Sequence, residues 1–146
     1  MAPAGPGRGG AGGEYLSPAT PGQDTAGDMR LHRLLAGIAE PGPETVGNYT
    51  PHMLGLQHLN AISFNKGCYT GQEIVARTEH LGAAKRGPLL LSTDGGAPLT
   101  EGADVFGSDR KLGTIAASAD RFGIAVINLD YEGDITTTDG RSLQRV

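Results

Sequence analysis

The chain reads as an α+β protein in which short helical segments come first and a small antiparallel β-barrel or sandwich follows. Three observations carry that expectation. Residues 28–37 and 70–79 combine helix-start signals with apolar residues at helical spacing. Beyond Lys85-Arg86 the texture changes to short apolar or β-branched runs. Turns rich in Gly and Asp separate those runs at intervals that suit hairpins.

Residues 1–28 are rich in Gly, Pro and Ala and have no apolar period, so they cannot offset their ordering entropy by burial and read as a disordered segment or linker. They lack the apolar stretch of a signal peptide, and Glu14, Asp24 and Asp28 argue against an organellar transit peptide. Asp28 then caps a short helix. Leu31, Leu34 and Leu35 share one face of it, and Gly37 closes it. Residues 39–49 are loop chemistry. Thr50-Pro51 offers an N-cap with proline at the first helical position, and a turn or two of helix fits before Gly55. Thr70-Gly71-Gln72-Glu73 has capping-box spacing, with Thr70 as N-cap and Glu73 reaching back; the helix it opens ends at Gly82.

Strand-like runs follow at Leu89–Ser92, Asp104–Phe106, Leu112–Ala117, Phe122–Leu129 and Ile135–Thr138. A barrel over residues 85–146 is small enough to gain from docking onto the helical part. No run of about 18 apolar residues is present, so nothing in the sequence spans a membrane as a helix. The formal net charge of −4 gives no basic face for a nucleic-acid backbone, since Arg77, Lys85 and Arg86 form only a local patch beside His80. Direct nucleic-acid binding is therefore not expected. The single cysteine cannot close an internal disulfide, which suits a reducing cytoplasm.

That cysteine, Cys68, is the most informative residue. It lies two positions after Lys66 and two before the helix-start signal. An ordinary cysteine is only about 3% thiolate at neutral pH. Lys66 and the positive end of the following helix put positive potential beside the sulfur and favour its reactive form. Gly67 and Gly71 leave room for a ligand, and Tyr69 supplies an aromatic face and a hydroxyl. The bland alternatives are a buried, inert Cys68, a Glu73 that only caps, and an Arg33 that is an ordinary surface residue. A cysteine-protease site is not indicated, because His32, His52, His58 and His80 lie in no such context. Ligand spacing for zinc is absent, and Gly9, Gly10, Gly12 and Gly13 form no phosphate loop.

Lys66-Gly67-Cys68-Tyr69-Thr70-Gly71-Gln72-Glu73, continuing as Ile74-Val75-Ala76-Arg77, closely resembles the hallmark of the YgfZ-type folate-binding proteins. Those bacterial and organellar factors assist iron–sulfur cluster assembly and are related to the glycine-cleavage T-protein. Asn60 to Phe64, Gly82 to Arg86 and Arg33 to Ile38 match the same pattern, and the resemblance runs from about Met29 to Val146. Leu35 stands where the family often has an acidic residue, and Ala39 where it often has proline. The T-protein branch typically lacks the cysteine, so Cys68 favours the assembly factor over the transferase.

The resemblance implies a tetrahydrofolate-binding region of αβ segments around a central pocket, followed by a six-stranded antiparallel barrel. Residues 29–84 would be the end of the first part and 85–146 the second. Residues 1–28 match nothing in the family, so most of the folate-binding region has no counterpart in this sequence; a truncated reading frame or a separate chain with the N-terminal half is the expectation. Cys68 and Lys66 match the segment thought to carry function. Arg33 matches an arginine that faces the folate tail, and with Tyr69 and Gly67 it makes the candidate folate contacts. The implied role is assembly or repair of iron–sulfur proteins, with the assembly machinery or its clients as partners and an indirect effect on tRNA modification. Two alternatives are a folate-dependent aminomethyltransferase, whose catalytic acid belongs to the half without a counterpart, and a fragment that binds a protein partner or has no activity.

Overall fold

The computed structural model describes residues 25–80, 85–108 and 110–146. The low-complexity segment lies outside the described residues as far as position 24, and so does Gly82, the expected end of the second helix. The elements are α1 (Thr25–Leu35), α2 (Gln72–His80), β1 (Arg86–Thr93), β2 (Asp104–Gly107), β3 (Arg110–Ala119), β4 (Phe122–Asn128), β5 (Ile135–Thr137) and β6 (Ser142–Arg145). The strands are antiparallel and close into a six-stranded barrel in the order β1-β4-β3-β2-β5-β6. The helices-then-barrel architecture is the one expected, and closure decides between barrel and sandwich.

Alternation along the strands fills the barrel. Leu91, Val105, Ile115, Ala125, Ile127 and Ile135 are buried together inside it with Leu112 and Leu143. Each fully buried Leu or Ile contributes about 1.5–3 kcal/mol. β4 is buried along most of its length because it is covered on both sides. Ala125 and Ile127 belong to the interior cluster, whereas Ile124 and Ala117 belong to a second cluster with Leu34 and Ala39. Gly113 on β3 lies close against β4; a Cβ there would collide with the Val126 carbonyl oxygen. Bulges between Val105 and Phe106 and between Ile115 and Ala117 bend the strands for closure.

Helix α1 docks on the outside of β3 and β4 through Leu34. It starts three residues earlier than Asp28. Its end is the one the sequence signals: Gly37 has φ 80°, the Ile38 N–H donates to the Arg33 carbonyl at 2.9 Å, and the Gly37 N–H donates to the Leu34 carbonyl at 2.9 Å. Leu35 departs from expectation. It is 43% exposed while Leu34 is buried, because the barrel-facing stripe is narrower than the leucine run.

The loop after α1 is fastened by one carboxylate. Glu101 accepts from the Gly42 N–H at 2.6 Å, from the Thr45 hydroxyl and from the Arg30 guanidinium at 3.2 Å. Thr45 is buried and also lies 2.8 Å from the Ala116 carbonyl. Thr50 takes its expected cap role: its hydroxyl accepts from the Met53 N–H at 3.3 Å, at the head of a run of tight turns over residues 51–60. Among the described residues no helix is long and apolar enough to cross a membrane.

Candidate functional site

The cysteine segment is a bridge between those turns and α2. Residues 64–68 form no regular element and are exposed, Cys68 included. The sulfur is therefore open to solvent rather than packed among aliphatic side chains. Gly67 is exposed as well, and a Cβ placed on it would meet nothing within 4 Å, so the backbone beside Cys68 is open. The Lys66 ammonium sits over the Tyr69 ring at 4.8 Å from its centroid, a cation–π contact that straddles the cysteine in sequence. Lys66, Gly67, Cys68 and Tyr69 are thus gathered on one turn by chain connectivity and by that contact.

The helix start differs from the expected box. Gly71 has φ 86°, which breaks helical geometry between Thr70 and Gln72, so α2 opens at Gln72. The side chain that reaches back is Gln72, whose Oε1 accepts from the Tyr69 N–H at 3.3 Å. Glu73 instead pairs with Arg77 one turn on, at 3.7 Å, with both side chains largely exposed. The reaching-back role expected of Glu73 has moved one residue because the glycine shifts the register.

Arg33 lies elsewhere. On α1 it donates to Glu40 at 2.8 Å, and both side chains are about half exposed. It lines an open groove of about 550 Å³ with Met29, Arg30, Glu40 and Pro41. Gly67 and Tyr69 do not line that groove, so the three expected folate contacts do not converge on one cavity.

A second cavity lies beside the C-terminal end of α2 and is not signalled by the sequence. A cleft of about 390 Å³ runs between α2, the 51–60 turns and the start of β1, and it is lined by His52, Gln57, Phe64, Glu79, Arg86 and Pro88 among others. In it the buried His52 imidazole stands 3.2 Å from the Glu79 carboxylate. Glu79 accepts only, so His52 Nε2 carries the proton. The Phe64 ring lies 6.2 Å from the His52 ring, tilted by 39°. No local pattern links His52 to a glutamate 27 residues away; the one hint is a histidine directly after the Thr50-Pro51 cap.

Two groups on the barrel side have displaced protonation. Burial pushes the Tyr49 phenol up, against a hydrogen bond with Thr114. The Thr137 hydroxyl holds the Asp139 carboxyl below the usual carboxylate range. Among the described residues no group of three or more His, Cys, Asp or Glu is arranged to hold a metal ion.

No family model matches the chain. Curated proteins do. The chain is 37% identical over 113 residues to the tRNA-modifying protein YgfZ of Aliivibrio fischeri, covering 71% of this chain and 36% of that protein. It is 38% identical over 97 residues to the protein of that name from Pectobacterium atrosepticum, covering 60% of this chain and 29% of the relative. Over a shorter stretch of 49 residues it is 55% identical to the one from Colwellia psychrerythraea, covering 34% of this chain and 15% of the relative. The chain spans about a third of the length of the first two of these relatives.

Proposed function

The chain belongs to the YgfZ family, and from that premise we propose that it is an accessory factor for iron–sulfur proteins that acts through the open Cys68 thiol. One observation supports the reading above others: within the motif that carries the family likeness, the cysteine is exposed on an irregular turn. Such a thiol can lose its proton to water and bond iron as a thiolate, replacing an outgoing ligand. The cluster here is cargo, and one thiolate cannot hold it. A client protein or a second copy of the chain supplies the remaining ligands. Lys66, held over Tyr69, keeps a positive charge on the same turn.

The relatives are named as tRNA-modifying proteins. We carry that to this chain as an indirect effect, through modifying enzymes that depend on clusters in a reducing cytoplasm. The net charge of −4 favours this over direct contact with RNA.

Tetrahydrofolate is the proposed small-molecule ligand of the whole family architecture. Arg33 suits a carboxylate tail, provided that the ligand displaces Glu40. The described residues give the rest of a folate molecule no enclosed slot beside it, so they do not fit the complete ligand and no step of the proposed chemistry passes through it. The aminomethyltransferase alternative gains no support, since its catalytic acid has no counterpart among these residues.

The test is rescue. In cells lacking their own YgfZ protein, expression of the full chain should raise cluster-enzyme activity and the modified-nucleoside content of tRNA. Cys68→Ser should remove that rescue without lowering the thermal midpoint. Rescue by the serine variant equal to wild type would make the thiol dispensable and end the proposal.

A further inference from the structure

We propose that the His52–Glu79 contact is a latch that seats α2 against the 51–60 turns and thereby positions the cysteine turn; this rests on the reading of Cys68 as the working group. Little else holds α2. The helix has nine residues, too few to be stable alone in water. Among its described residues Val75 is the one buried side chain, and it belongs to neither buried apolar cluster, whereas Leu34 of α1 joins Ala117 of β3 and Ile124 of β4 in one of them. The cleft beneath it is not a close-packed seat. It is a cavity, and within it Gln57 Oε1 is buried without a hydrogen-bond partner.

The polar contact at the C-terminal end of α2 therefore has an outsized part. His52 is only 4% exposed and is fixed by its surroundings, with the Phe64 ring beside it. Its Nε2–H donates to Glu79 Oε2 at 3.2 Å. At the other end of α2, Gln72 Oε1 accepts from the Tyr69 N–H, the residue after Cys68. A nine-residue helix is a stiff rod of about 13 Å. Fixing Glu79 at one end sets the direction of the rod, and the Gln72–Tyr69 bond transmits that direction to the cysteine turn. His52 and Glu79 are positioning residues in this scheme. Neither is assigned a contact with the cargo.

Glu79 is 43% exposed, so its replacement leaves no buried void. In the full chain, Glu79→Ala should speed hydrogen exchange of the α2 amides about five-fold, as expected for the loss of one hydrogen bond. Exchange in the barrel strands should stay as in wild type. The alkylation rate of Cys68 by iodoacetamide at pH 7 should fall at least two-fold, as the turn loses its fixed place by the helix start. Glu79→Gln, whose side-chain oxygen still accepts from His52, should restore both readouts to near wild type. The latch is overturned if α2 exchange is the same in Glu79→Ala and wild type, or if the barrel loosens equally. Faster α2 exchange with an unchanged Cys68 rate would overturn the positioning claim. None of these outcomes depends on rescue in cells, so a silent Cys68→Ser variant would sink the functional reading and leave the latch standing.

Discussion

The barrel and the cysteine segment are built on opposite terms. Every barrel strand is paired on both sides, and the interior side chains of β1, β3 and β4 are almost completely buried. The segment over residues 60–80 has one short helix and one buried side chain among its described residues, and it exposes Cys68, Phe64 and Ile74. The first region draws its stability from non-local packing that no single polar group decides. The second keeps its place through a few named contacts: Lys66 on Tyr69, Tyr69 with Gln72, and His52 with Glu79. Residues proposed to work on a bulky cargo have to be reachable, and an open turn carried on a thinly held helix is reachable in a way that a barrel strand is not.

The contrast predicts a graded response to substitution. The largest effect belongs to the barrel interior. Ile115→Ala removes a fully buried side chain at the β3 bulge and should cost about 3 kcal/mol, read as a lower urea midpoint. A loss under about 1 kcal/mol would mean that the interior is not the cooperative frame described. An intermediate effect belongs to the tether between the barrel and α1. Glu101→Ala strips acceptors from Gly42, Thr45 and Arg30 together and should cost about 2 kcal/mol in the same measurement. Substitutions in the cysteine segment come last: Cys68→Ser should leave the thermal midpoint in place, and Glu79→Ala should loosen α2 and the cysteine turn while leaving the barrel as in wild type.

The same division governs what the sequence revealed. β1 to β5 were legible because β-branched and aliphatic runs alternate with Gly/Asp turns, and both regions of helix carried start signals. β6 was not legible from its residues, since Ser142-Leu143-Gln144-Arg145 offers one apolar side chain; pairing with β1 and β5 is what makes it a strand. The six-strand count came from family resemblance alone. Gly37 announced the end of α1 because a left-handed glycine has a local signature. Gly71 misled for the same reason: its positive φ moved the helix start past Thr70 and gave the reaching-back role to Gln72. At the candidate site, the exposed turn with Lys66, Cys68 and Tyr69 was legible because it is contiguous. The Glu40 pairing of Arg33 and the His52–Glu79 contact were not, because each depends on how the chain folds back on itself rather than on spacing.

Hydrogen exchange on the unmodified full chain, resolved to single amides and read under native conditions, tests the central division most directly. The account predicts that the α2 amides open and exchange well before those of β1, β3 and β4, which should exchange only with global unfolding. Protection of α2 equal to that of the central strands would contradict it, since the cysteine turn would then be as firmly built as the barrel that carries it.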